Sequence, residues 1–158
     1  MKIELRKITD DNVGDLLDLQ VTEGQEDYVG SNLDSLATAY ICDNNGGRAI
    51  PYAIYAGDEM VGFVMYGYLP EAYDDTYGED CYYLWRFMID KNHQGKGYGT
   101  QAIAQVLDEI RQKPHGAAQH CYTQYEPENI PVKKMYEKLG FEETGEEDDG
   151  ELIMRMKI

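Results

Sequence analysis

The chain of 158 residues has little that is basic, little cysteine and no long apolar run. Its three cysteines, Cys42, Cys81 and Cys121, are far apart and odd in number, and no pair has C-x-x-C spacing. Neither a disulfide framework nor a zinc cluster is indicated, and three reduced, mostly buried thiols are expected. The three histidines, His93, His115 and His120, show no ligand spacing, so no metal site is expected. No apolar stretch approaches the roughly 18–20 residues that a membrane span needs. The opening Met1-Lys2-Ile3-Glu4-Leu5-Arg6 lacks the apolar segment and cleavage site of a secretory signal. A cytoplasmic protein with no membrane partner is the expectation. With 14 basic against 30 acidic residues, the net charge is −16. Such a surface repels a phosphate backbone, which argues against a nucleic-acid partner. It attracts cations, although an acidic surface can also serve solubility alone. No linker or internal repeat divides the chain, and its length fits one domain over residues 1–158.

What is present reads as alternating strands and helices. Ile3-Glu4-Leu5 begins a strand. Thr9-Asp10-Asp11 starts a helix carrying Val13, Leu16, Leu17 and Gln20 at helical spacing. After a polar loop from Glu23 to Gly30, Ser31 or Asn32 caps a second helix through Ile41, ended by Asp43 to Gly47. Pro51 to Tyr55 and Met60 to Tyr66 form a hairpin about Gly57-Asp58-Glu59. An acidic loop from Glu71 to Asp80 precedes Tyr82 to Ile89, a nearly continuous apolar run expected as a buried central strand. A glycine-rich loop then leads into a helix with Ala102, Ile103, Val106, Leu107 and Ile110 on one face. Gln119 to Tyr125 reads as a strand and Ile130 to Leu139 as a helix capped by Gly140; a final hairpin has Leu152 to Met156 as its last strand. The acidic run from Glu142 to Glu151 is expected as a solvated turn. The order β-α-α-β-β-β-α-β-α-β-β is that of a mixed α/β domain with one central sheet.

The segment Gln94-Gly95-Lys96-Gly97-Tyr98-Gly99-Thr100 lies between a buried strand and a long helix. Glycines there let the backbone approach a ligand at positive φ, and free N–H groups at a helix start favour a phosphate. Lys91, His93 and Lys96 make this spot locally basic on an acidic protein. A dinucleotide fingerprint fails because Thr100 follows Gly99, and no G-x-x-x-x-G-K-[ST] is present. Taken alone, such a loop is equally a tight turn.

Two signatures taken together identify a family. Trp85 to Asp90 followed by Gln94-Gly95-Lys96-Gly97-Tyr98-Gly99 resembles motif A, [QR]-x-x-G-x-[GA], of the GNAT N-acetyltransferase superfamily. Asn129, then Tyr136 and Glu137-Lys138-Leu139-Gly140-Phe141, is similar to motif B. Within the family, the chain looks most like bacterial spermine/spermidine acetyltransferases, with Glu23 to Leu36 and Tyr125 to Asn129 adding to that likeness. The resemblance implies a GNAT-like fold, a mostly antiparallel sheet flanked by helices and splayed between the fourth and fifth strands. It implies acetyl-CoA as cosubstrate, no metal, and an acetyl group moved by direct attack onto a primary amine of a small cationic molecule.

By the same resemblance, Phe87, Met88 and Ile89 pair with the pantetheine arm, and the backbone from Gln94 to Thr100 holds the pyrophosphate. Asn129 bonds the arm and Lys138 reaches the phosphates. The Met88 N–H is expected as oxyanion donor and Tyr136 as general acid, although a tyrosine on a helix is by default a core residue. Family members can carry a carboxylate on the motif A strand, but Leu84, Trp85 and Arg86 stand there. The base therefore stays open among Glu26, Glu79, Asp80 and Glu126. Glu23, Glu26 and Asp27 are candidate substrate ligands, with Asp74, Asp75, Glu79 and Asp80 as a second acidic group. Tyr28, Tyr73 and Tyr77 could cover a methylene chain; solvated loops would look the same. Other readings are a different amine (an aminoglycoside, an amino-acid derivative or a protein N-terminus) and a non-catalytic acyl-CoA-binding module. A homodimer is common among similar enzymes.

Overall fold

The apolar run Cys81–Ile89 becomes β4, the middle strand of a seven-stranded sheet. The structure is a computed structural model that describes residues 1–27 and 30–158. The other strands are β1 (Ile3–Lys7), β2 (Arg48–Ala56), β3 (Glu59–Leu69), β5 (His120–Tyr125), β6 (Glu142–Asp148) and β7 (Glu151–Lys157), in the order β1-β2-β3-β4-β5-β7-β6. Every neighbouring pair is antiparallel except β4–β5, which is parallel. Among the described residues four α-helices complete it: α1 (Val13–Asp18), α2 (Asn32–Asn44), α3 (Tyr98–Arg111) and α4 (Ile130–Leu139), with a 3-10 turn at Gln25–Asp27. The order of elements is the one expected.

β2, β3 and β4 read as continuous apolar runs because both their faces are covered. On one face, Ala102, Ile103, Val106, Leu107 and Ile110 of α3 pack on Ile54, Val64, Tyr66 and Leu84. On the other, Leu16 of α1 and Ala39 and Cys42 of α2 pack on Ala53, Phe63 and Met65. All three cysteines are buried and free.

Two local expectations are corrected. α1 stops at Asp18 and does not reach Gln20. The Gln20 N–H donates to Asp90 Oδ1 at 2.9 Å and its carbonyl accepts from the Lys91 N–H at 2.6 Å, so the end of β4 holds this segment extended. The acidic run after Phe141 is a strand, β6, and only Asp149-Gly150 turns. An edge strand leaves its side chains in water, so repulsion within the run is screened while β7 supplies the backbone partners.

What positions the site is a failed pairing. β4 and β5 pair only at Tyr82 with Cys121 and at Tyr83 with Tyr122. Thr123 Oγ1 then donates to the Leu84 carbonyl at 3.0 Å, and beyond it the strands part. The register of β4 against β3 slips at this point: Arg86 faces Met65 and Leu84 faces Tyr66, leaving Trp85 as a bulge. A bulge sharpens the local twist and turns the rest of β4 away from β5.

Candidate active site between β4 and β5

The open edge of β4 forms one wall of a cleft of about 560 Å3. Phe87, Met88, Ile89, Gln94, Gly95, Gly97, Tyr98, Gly99, Thr100 and Asn129 line it. Thus ten of the expected cofactor ligands meet in one place. Lys96 and Lys138 are exposed and do not line it.

Which backbone groups face the cleft follows from the ladder. The Asp90 N–H donates to the Val61 carbonyl on β3 at 2.8 Å, whereas the Ile89 carbonyl accepts from Gln94 Nε2 at 3.0 Å on the other side. In an antiparallel ladder the direction alternates by residue, and Met88 pairs with Phe63. The Met88 N–H therefore points to β3, and those of Phe87 and Ile89 point to the open edge. This corrects the expectation that Met88 donates to an oxyanion. The Met88 side chain, buried, separates the cleft from a groove on the α1–α2 side of β4.

The glycine-rich loop closes the far end. Gly95 and Gly97 sit at φ +77° and +78°, the left-handed region that favours glycine. Gly97 caps α3 with no side-chain acceptor, so the first N–H groups of the helix face the cleft without a protein cap. A Cβ on Gly99 would lie 2.5 Å from the Phe87 ring, so the close approach is built in. Gln94 Nε2 also donates to Gln25 Oε1 at 2.8 Å, tying the loop to the 3-10 turn. An extended strand edge ending in a cradle of N–H donors suits a chain with a phosphate end, as in acetyl-CoA.

A second hollow of about 210 Å3 shares Phe87, Asn129 and Val132 with the cleft and so continues it. Tyr136 of α4 lines it, packed against the Phe141 ring at 5.5 Å. Burial pushes its phenol up to about 12, with the Thr123 hydroxyl acting in the opposite direction. Asn129 N-caps α4 without bonding the helix through its side chain, which leaves its amide for a ligand. Glu126 lines this hollow, as does Glu151, which sequence reasoning missed. Burial first, then Glu126, raise the Glu151 carboxyl, while Arg86 opposes them. The Arg86 Nε is buried with no hydrogen-bond partner among the described residues.

On the α1–α2 side of β4, a groove of about 690 Å3 brings Glu23 and Glu26 together with Met88, Lys91 and Gly30. Arg86 spans the two regions: a Cβ on Gly30 would meet its Nη1 at 2.1 Å. The Asp27 side chain and Tyr28 lie outside the described residues. The second acidic group does not reach the cleft. Glu79 bonds His120 Nδ1 at 2.6 Å and accepts from the Tyr122 hydroxyl at 3.0 Å. Asp80 accepts the Glu71 N–H at 2.9 Å, Asp74 that of Thr76 at 3.0 Å, and Asp75 is exposed. Tyr77 stacks on Tyr122 at 4.4 Å, and Tyr73 lies against Gly47. Among the described residues no helix is long and apolar enough to cross a membrane.

Comparison with known proteins agrees with this geometry. The model of the Acetyltransferase (GNAT) family matches residues 15–141. A probable spermine N(1)-acetyltransferase of Bacillus subtilis subsp. natto is 33% identical over 155 residues, 98% of this chain and 97% of the relative. A spermine/spermidine N(1)-acetyltransferase of Bacillus subtilis is 32% identical over the same shares. Among solved structures, the aminoglycoside acetyltransferase AAC(6')-Ib with coenzyme A and kanamycin superposes at a TM-score of 0.77 and 18% identity, over 99% of this chain and 95% of that one. The PaiA N-acetyltransferase of Thermoplasma acidophilum with coenzyme A superposes at 0.71 and 15% identity, over all of both chains. With the splayed strands, the glycine-rich loop and both motifs in place, the chain belongs to the GNAT family and is an acetyl-CoA-dependent N-acetyltransferase.

Proposed function

We propose that the acceptor is a polyamine, spermidine or spermine, acetylated on a primary amine. The observation that carries this reading is the placement of carboxylates on both sides of the inner end of the cleft. Glu23 and Glu26 line the groove on one side, and Glu126 and Glu151 line the hollow beside Tyr136 on the other. A chain with several ammonium groups is drawn into such a site and held along it. The names of the two Bacillus relatives support the same substrate class.

Acetyl-CoA supplies a thioester, whose carbonyl carbon takes the amine and whose sulfur leaves. The edge N–H groups of Phe87 and Ile89 hold the pantetheine arm, and the Phe87 N–H is the donor aimed at the developing oxyanion. The backbone from Gln94 to Thr100 holds the pyrophosphate, Lys96 and Lys138 reach it from the rim, and Asn129 bonds the arm. Tyr136 keeps its proton at neutral pH and gives it to the leaving sulfur. Asp27 joins Glu23 and Glu26 as a substrate ligand. The same proposal includes a single domain over residues 1–158, a cytoplasmic location and a homodimer, the last checked by light scattering.

The test is initial rates of free-thiol release from acetyl-CoA across spermidine, spermine, aminoglycosides, amino-acid amides and simple monoamines. A kcat/KM at least tenfold higher for spermidine or spermine is expected. Equal rates across the panel, or preference for another amine, would refute the polyamine. Tight acetyl-CoA binding without release by any amine would refute the catalytic roles as well.

A further inference from the structure

We propose that Glu151, the first residue of β7, is the carboxylate that takes the proton from the attacking ammonium, and that the hollow it shares with Tyr136 seats the reacting nitrogen. This rests on the reading of the site given above. The hollow is the continuation of the cofactor cleft, and Tyr136, Asn129, Arg86, Glu126 and Glu151 converge on it. The fold places Glu151 there through register. Leu152 pairs with Tyr125 at the last residue of β5, so Glu151 stands beyond the end of β5, where β4 and β5 have already parted.

The other carboxylates are less suited. Leu84, Trp85 and Arg86 leave β4 without one, so a base must come from across the opening. Glu79 is bound to His120 and Tyr122, and Asp80 caps a backbone N–H. Glu26 is exposed and lines the groove outside the hollow. Glu126 shares the hollow, and its charge opposes ionisation of Glu151. The groups facing Glu151 are Arg86 and Tyr83 from β4, Glu126 from the β5–α4 loop, Tyr136 from α4, and Asp148 and Asp149 from the hairpin. Burial and the three acids raise its carboxyl and Arg86 lowers it, which moves the group toward the range useful to a general base.

The step balances. The ammonium gives one proton to a Glu151 carboxylate oxygen, and the freed lone pair forms the C–N bond. The C–S bond breaks as the sulfur takes the Tyr136 phenol proton. The nitrogen then returns its extra proton to the Tyr136 phenolate, and Glu151 releases its own to water. One proton leaves per amide and thiol formed.

The experiment is the pH dependence of kcat/KM at saturating acetyl-CoA, with the best amine of the panel, for wild type, E151Q, E151D, E126Q and R86M. Acetyl-CoA affinity is measured by calorimetry alongside. E151Q is expected to lose at least about 100-fold in kcat, lose the acidic limb of the profile, and bind acetyl-CoA within threefold of wild type. E151D is expected to keep the limb at reduced kcat. E126Q is expected to move the limb to lower pH and R86M to higher pH, since each removes one of the charges acting on Glu151. An active wild type with an E151Q profile that keeps its acidic limb, whether or not the rate falls, overturns the role of Glu151 alone. A wild type inert with every amine removes the polyamine reading and this role together.

Discussion

In the proposed mechanism Tyr136 is the residue that gives its proton to the leaving sulfur. Phenylalanine fills the same place but has no proton to give. Y136F is expected to lower kcat about 100-fold while leaving acetyl-CoA affinity and melting temperature near wild type; an unchanged kcat would return Tyr136 to the core. Its burial has a second consequence, shared with other tyrosines. Burial pushes Tyr52, Tyr73 and Tyr136 up to about 12. In the unfolded chain these phenols ionise near 10, so between pH 10 and 12 the folded state holds protons that the unfolded state has released. The stability they contribute is fully present below pH 10 and is lost as pH rises through that window. Calorimetric melting is expected to give a flat Tm from pH 8 to about 9.5 and a steep fall above it. A Tm level through pH 11 would show that the phenols are not held neutral. Residue-level legibility was uneven. Tyr136 and Asn129 are singled out by resemblance to motif B, with Gly140 and Phe141 at its spacing. Glu151 did not, because nothing in an acidic run marks the one carboxylate that register turns inward. The Met88 expectation failed for a related reason: which N–H faces an open edge is set by ladder parity and a bulge, and neither is written in residue type.

Elements were the most legible level, since apolar periodicity and caps govern them. The Ser31 side chain accepts from the Asp34 N–H, as expected of a cap, and Gly140 ends α4 at φ +110°. The acidic run of β6 reads as a solvated turn because charge density speaks to solvation and not to pairing. The parting of β4 from β5 was expected only through family resemblance; the run from Tyr82 to Ile89 contains no breaker. The junction of β4 and α3 is testable as an element. A side chain at position 99 must displace the Phe87 ring, and the space it takes belongs to the cleft. G99V is expected to fold and to bind acetyl-CoA at least tenfold more weakly in calorimetry. Unchanged affinity would mean that the cofactor does not pass this wall.

For the whole molecule, the net charge of −16 matters through its range of action. At low ionic strength its field reaches about 30 Å, and near 1 M salt about 3 Å. The kcat/KM for spermidine is expected to fall severalfold between about 0.01 and 0.5 M salt, while that of a singly charged amine changes less than twofold. Equal salt dependence would assign the acidic surface to solubility only. The sheet order and the covering of its two faces follow from the same physics as the site: five of the six strand pairings are antiparallel, and the single parallel pairing is the one that opens. A crystal structure with coenzyme A decides the proposed mode of cofactor binding. The pantetheine arm is expected along the open edge of β4, the pyrophosphate over Gly95 to Thr100, and the sulfur within hydrogen-bond reach of the Tyr136 hydroxyl. Coenzyme A bound elsewhere, or its sulfur pointing away from Tyr136, would contradict it.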